Sequence, residues 1–162
     1  MITCQFENGN GAHLRHVTVN AIVVKDNKIL LGKRGTYKGK PMLESGKWAL
    51  IGGFMDRDEN LEQAIRREIL EETGWTITDL QLLRIKDNPD RPAEDRQNVE
   101  FVFIAQAAES EDMHDEEVSR LQWFALDGLP AKDTIAFDHA DELELYKKYL
   151  EEKFSIPVIG KK

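Results

Sequence analysis

One stretch constrains this chain more than any other: GGFMDRDENLEQAIRREILEETGW, residues 52–75, which sets seven acids and three arginines between paired glycines and a single closing glycine. Leu61, Ala64, Ile65 and Ile69 recur at the spacing of one helix face, so the segment predicts an amphipathic helix that docks on a sheet. Asp58 is the expected N-cap and Gly74 the expected left-handed stop. Glu68, Glu71 and Glu72 stand at i, i+3 and i+4, which brings their carboxylates to one edge within about one turn, where like charges repel. Ion pairs of Glu62 with Arg66 and of Arg67 with Glu71 account for the arginines at a few tenths of a kcal/mol each. They leave Glu68 and Glu72 without partners. A hard divalent cation would relieve that repulsion, because such ions take carboxylate oxygens.

The flanks supply the sheet. Residues 16–31, HVTVNAIVVKDNKILL, alternate apolar positions around a turn at Asp26-Asn27 and predict a hairpin. Gly32 to Lys47 is expected to be a loop, and Trp48 to Ile51 a short apolar run. Trp75–Ile85, Val99–Ala105 and Leu121–Leu126 read as strands, and Asp138–Phe154 as a second helix packed through Leu143, Leu145, Tyr146, Tyr149 and Leu150. Strands and helices interleave, so the class is α/β. The 162 residues fit one domain, 1–162. A formal net charge of −8 argues against a nucleic-acid partner. Cys4, the single cysteine, cannot close an internal disulfide, and no apolar run has the length of a membrane span. These features suggest a cytoplasmic protein with no membrane partner, and a homodimer stays open.

Gly53, Glu59, Arg67-Glu68, Ile69, Leu70, Glu71-Glu72, Thr73, Gly74 and Trp75 together match the signature of the Nudix hydrolase family, which this chain resembles. Seven of those positions demand one residue type, so the chance of the match at a given start is on the order of 10⁻⁸. GKWALIGG, EEVSRLQWFALDGLP and IAFDHADEL also look like the family, which extends the resemblance over most of the chain. It implies an α/β/α sandwich around a mixed sheet and hydrolysis of a nucleoside diphosphate linked to another group, with Mg²⁺, or alternatively Mn²⁺. By the same resemblance Glu68, Glu71 and Glu72 hold the metal with the carbonyl of Gly52, Arg67 orients a glutamate, and Glu59 either binds a second metal or pairs with an arginine. The base is a box glutamate or an acid of the loop ESEDMHDEE, with Asp115, Glu116 and Glu117 as candidates and Glu117 the chosen one. Ile51 stands where many relatives have proline, which removes a restriction on the loop but no ligand.

Substrate contacts are expected from Arg34, Phe54, Arg91 and Arg96. Phe101, Phe103 and Phe137 are assigned to the core, Phe137 at the start of the second helix. His139 is read as a cap or packing residue. WALIGGF and AFDH look like the ADP-ribose pyrophosphatase branch, so ADP-ribose or a nucleotide sugar is the expected small-molecule substrate. The alternatives are a nucleotide-binding regulatory module without hydrolysis and a nucleoside triphosphate pyrophosphohydrolase.

Overall fold

The computed structural model describes residues 2–89, 98–111 and 115–160. In chain order it contains β1 (Ile2–Gln5), β2 (Gly11–Leu14), β3 (Val17–Lys25), β4 (Lys28–Arg34), β5 (Thr36–Tyr37), β6 (Lys40–Pro41), β7 (Trp48–Ala49) and β8 (Ile51–Phe54). The helix α1 (Leu61–Thr73) follows, then β9 (Trp75–Lys86), β10 (Val99–Ser110), β11 (Val118–Ala125), α2 (His139–Glu152) and β12 (Val158–Ile159). The main sheet runs β11-β4-β3-β10-β9-β12, with β7 added on β4 and β8 on β3. It is mixed: β10 lies parallel to β3 and antiparallel to β9, while β12 lies parallel to β9. β1 and β2 form a separate hairpin, with Phe6 and Leu14 exposed.

The period of two along the strands splits the core. Val19, Ala21 and Val23 of β3 pack with Ala64, Ile65 and Ile69 of α1, whereas Ile22 and Val24 pack with Ala140, Leu143 and Tyr146 of α2. The result is the α/β/α sandwich expected from the sequence. Burying one such Ile or Leu contributes about 1.5–3 kcal/mol. Surface pairs such as Arg66–Glu62 contribute a few tenths of that, so packing and not charge docks α1.

Several expectations change in detail. The N-cap of α1 is Asn60, not Asp58: the Asn60 side chain accepts from the Gln63 N–H at 2.9 Å, and the Gln63 side chain accepts from the Asn60 N–H at 2.9 Å. This reciprocal box begins at the residue just before the apolar stripe, two positions later than Asp58. Gly74 ends the helix as expected, at φ 71 with its N–H bonded to the Leu70 carbonyl. The 32–47 segment is not all loop, because β4 extends to Arg34 and β5 pairs with β6. Phe137 does not begin α2; it precedes the Asp138 cap, at φ 54. Asp26 and Asn27 turn the β3–β4 hairpin at φ 49 and 58, as the sequence indicates. Ile51 is buried in the space left by Gly32, where a Cβ would lie 2.9 Å from its Cδ1.

The corrected cap yields a first prediction. Asn60→Ala should cost about 1 kcal/mol of stability in chemical denaturation, while Asp58→Ala should stay within about 0.5 kcal/mol. Equal losses would contradict the cap assignment.

Candidate active site

Arg67 organises the acid-rich edge of α1. Its Nε and Nη2 donate to the two oxygens of Glu59 at 2.6 and 3.0 Å, and its Nη1 donates to Glu68 at 2.8 Å and to Glu71 at 3.0 Å. Nη2 also donates to the Phe54 carbonyl at 3.0 Å. The Glu59 bond, with help from Glu68 and Glu71, raises the Arg67 pKa further above its usual value, and the same bond holds the Glu59 carboxyl below its usual range. Of the two roles open for Glu59, the structure displays the ion pair. The donors of Arg67 reach the carboxylates of Glu59, Glu68 and Glu71.

Glu68 and Glu72 have partners, contrary to the expectation from helix spacing. Glu68 takes Arg67, and Glu72 accepts from the Gly52 N–H at 3.0 Å. Helical spacing alone misses both because one donor belongs to a neighbouring strand and the other fans out over three acids. Gly52 sits at φ 144 with the β3 backbone so close that a Cβ would lie 2.1 Å from the Val19 carbonyl oxygen. At Gly53, a Cβ would fall 2.7–2.8 Å from the Glu68 carboxylate. Gly52 therefore lets β8 approach the β3 backbone, and Gly53 lets it approach the Glu68 carboxylate.

Burial dominates the electrostatics of the cluster. It pushes the Glu68 carboxyl up to about 7, against the pull of Arg67, and the almost fully enclosed Glu72 well above the usual range, against the Gly52 N–H. Glu117 is also raised, first by burial and then by Asp115. The loop that carries it is tied to α1 through the Asp115 N–H, which donates to the Glu71 carbonyl at 3.1 Å. Glu116 instead accepts from the Lys38 N–H at 2.7 Å and from the Thr36 hydroxyl at 3.2 Å, which latches β5 to the loop.

Beside the acids lies a pocket lined by Thr18, Asn20, Arg34, Leu50, Gly52, Gly53, Phe54, Asn98, Phe137 and His139. Arg34 and Phe54, both expected at the site, are there, with the Arg34 guanidinium 5.0 Å from the centre of the Phe137 ring. Arg91 and Arg96 fall outside the described residues. Phe103 is core and Phe101 packs against the α1-side cluster, but Phe137 belongs to the pocket wall. His139 is buried, its Nδ1 accepting from the Leu50 N–H at 3.1 Å. Sequence reasoning missed Thr18, Asn20, Asn98 and Glu100. The signal was available for two of them: Thr18 and Asn20 occupy the same alternating positions of β3 as Ile22 and Val24, where a core strand calls for apolar side chains.

A family model for the NUDIX domain matches residues 14–146. The chain belongs to the Nudix family. It is 36% identical over 133 residues to an ADP-ribose pyrophosphatase of Methanocaldococcus jannaschii, covering 82% of this chain and 73% of that protein. It is 31% identical over 131 residues to an oxidized purine nucleoside triphosphate hydrolase of Danio rerio, covering 72% and 70%. Its fold matches the crystal structure of a MutT NUDIX hydrolase from Burkholderia pseudomallei with a TM-score of 0.68 and 32% identity, over 82% of this chain and 98% of that one. The protein is thus a Nudix pyrophosphohydrolase. Among the described residues, no helix is long and apolar enough to cross a membrane.

Nudix hydrolases generally use divalent metal ions. Among the described residues, no three His, Cys, Asp or Glu side chains already converge on one ion position. The donor chemistry nevertheless fits a hard cation: Glu68 and Glu72 offer carboxylate oxygens in a setting where burial disfavours their bare charges, and the Glu71 side chain is 53% exposed and able to turn from Arg67. A carboxyl raised on folding contributes stability that is complete below its unfolded value, near 4.5, and that is lost as pH rises through the folded value, about 7 for Glu68. A cation can replace the lost protons. Mg²⁺ should therefore raise the melting temperature clearly at about pH 8 and much less at about pH 5, read by thermal denaturation. An equal shift at both pH values would contradict this account.

Proposed function

We propose that this Nudix hydrolase cleaves the pyrophosphate bridge of ADP-ribose or a nucleotide-sugar-like compound, with Mg²⁺, or alternatively Mn²⁺, held by Glu68, Glu71, Glu72 and the Gly52 carbonyl. The observation that carries it is the sharing of Gly52 and Gly53: both line the pocket, and both touch the acids of α1. A phosphate at that junction lies against the acids while the rest of the ligand extends into the pocket. The similarity to the Methanocaldococcus jannaschii ADP-ribose pyrophosphatase supports the choice of substrate.

The bound cation would neutralise charge that develops on the phosphoryl oxygens and acidify a water. The chain's own residues do the rest. Arg67 keeps Glu68 and Glu71 aimed at the junction and leaves no charge of its own for the substrate, since its donors are spent on carboxylates and a carbonyl. Glu72 braces β8 through the Gly52 N–H. Glu117, raised above an ordinary carboxyl, is suited to take a proton from the attacking water, with a box glutamate as the alternative base. Arg34 and Phe54 contact the substrate from the pocket wall, and Arg91 and Arg96 are proposed from the sequence to contact its diphosphate or ribose.

The Danio rerio similarity favours a second reading, hydrolysis of a nucleoside triphosphate. ADP-ribose, nucleotide sugars and nucleoside triphosphates should be assayed side by side for release of mononucleotide or phosphate. ADP-ribose or a nucleotide sugar should give the highest kcat/KM, and a clear preference for triphosphates would overturn the choice. Glu72→Gln keeps an oxygen to accept from the Gly52 N–H, so the variant should fold. Loss of one metal-holding charge removes several kcal/mol, and kcat should fall by roughly a hundredfold or more. Turnover near that of the parent protein, with an unchanged melting temperature, would remove Glu72 from the metal site.

A further inference from the structure

Opposite the first turn of α2, the sheet face turns from apolar to polar. Thr18 and Asn20 of β3 and Asn98 before β10 are each 6% exposed, and all three line the pocket. Behind them lies Glu100, 1% exposed. The Asn20 Nδ2 donates to the Glu100 Oε1 at 2.6 Å. A carboxylate only accepts, so this bond sets which end of the Asn20 amide faces Glu100 and leaves its oxygen for the other side. Lys86 pairs with Glu100, its Nζ 3.4 Å from the Oε2. Among the described residues, the Thr18 Oγ1 and the Asn98 Oδ1 are buried and have no hydrogen-bond partner. Buried oxygens of this kind are rare because each forgoes its bond to water, and a ligand with matching donors restores what folding removed. The Phe54 and Phe137 rings on the wall suit a flat heterocycle better than a sugar.

We propose that this floor reads an amino group: Asn20 and Asn98 select a nucleobase with an exocyclic amino group, such as adenine, over its keto counterpart, while the Thr18 hydroxyl, which donates as well as accepts, bonds either one. Glu100 is the positioning residue that turns the Asn20 oxygen toward the base. The inference rests on the nucleotide reading of the substrate and adds the base specificity of the same site. A keto oxygen in that place would meet the oxygens of two amides.

AMP and IMP differ at that position and at the adjoining N1, which accepts in AMP and donates in IMP, and are to be compared by calorimetric binding to the full chain, with ADP-ribose and inosine diphosphate ribose compared in kcat/KM. The amino compound should be favoured by roughly tenfold or more in both. Thr18→Val removes a hydroxyl that bonds nothing within the described residues, so it should melt no lower than the parent protein while both nucleotides bind more weakly. Asn98→Leu removes an amide oxygen from the floor, and the amino-over-keto ratio should fall several-fold. In Glu100→Gln the new amide can accept or donate, which releases the Asn20 orientation, and the ratio should collapse toward one or invert. Binding of neither nucleotide, an equal or tighter affinity for IMP, or Asn98→Leu and Glu100→Gln variants that weaken both ligands alike and leave the ratio intact would each overturn the inference. A ratio that persists in binding while no diphosphate is hydrolysed supports the amino-group floor and sinks the substrate reading instead. Hydrolysis of both diphosphoriboses without preference does the reverse.

Discussion

The acid edge of α1 depends on one guanidinium. Arg67 has five N–H donors, and the structure spends them on five bonds: two to Glu59, one each to Glu68 and Glu71, and one to the Phe54 carbonyl. Those acceptors come from the loop before the helix, the helix itself and β8, so a single side chain sets the distance between three pieces of the site. Lysine carries the same charge but not the planar fork, and could not hold two oxygens of Glu59 while reaching the others. The arrangement keeps mutually repelling acids together without neutralising them all, because one positive charge faces three carboxylates. The remaining negative charge is what makes the edge attractive to a hard cation.

A second cluster of charges holds the opposite face. Arg84 and Lys86 of β9 pair with Glu142 of α2 at 3.1 and 2.8 Å, all three at most 5% exposed, and Lys86 also reaches Asp138 at 3.0 Å. Burial alone would lower the Lys86 pKa, yet the carboxylates of Glu100, Glu142 and Asp138 outweigh it and hold the ammonium charged. Such a group costs desolvation that apolar side chains would not, so stability is a poor reason for its presence. Its position supplies a better one. Arg84 also donates to the Gly160 carbonyl at 3.0 Å, which ties down the strand end at β12, while Lys86 faces Glu100 beneath the pocket. The cluster fixes the floor of the pocket as Arg67 fixes its acidic neighbour.

The outline of this structure was legible because the sheet and helices follow simple periods. The β3–β4 hairpin, the strand positions, the α1 stripe and both helix ends of the apolar pattern rest on local rules of alternation, capping and turn chemistry. Details that depend on tertiary partners were not. The spacing of Glu68 and Glu72 reveals that they converge, but not that a strand N–H and a shared arginine would receive them. Asp58 meets the local requirement for a cap because its side chain can accept from backbone; only the reciprocal Gln63 bond places the cap at Asn60 instead. Thr18, Asn20 and Glu100 passed unremarked because a polar residue on a strand is ordinarily read as solvent-facing. The parallel pairing of β3 and β10 adds Glu100 to the inward positions that alternation along β3 gives for Thr18 and Asn20, with Thr18 opposite Glu100 and Asn20 opposite Val102.

β8 separates what the site does from what it recognises. The β3 backbone at Gly52 and the Glu68 carboxylate at Gly53 press close enough that no side chain fits, so these two residues have little freedom to vary without displacing Glu68 or the strand that presents the Gly52 N–H to Glu72. The pocket beyond them is built from other elements: β3, the residues around Asn98, and the start of α2. Among the described residues, no hydrogen bond joins Thr18, Asn20 or Asn98 to the α1 acids, so substitutions there change the hydrogen-bonding pattern offered to a ligand and leave the carboxylate edge in place. A fold divided in this way can keep one hydrolytic edge while its recognition surface drifts. That division is a physical reason why relatives this similar in sequence carry names as different as ADP-ribose pyrophosphatase and oxidized purine nucleoside triphosphate hydrolase.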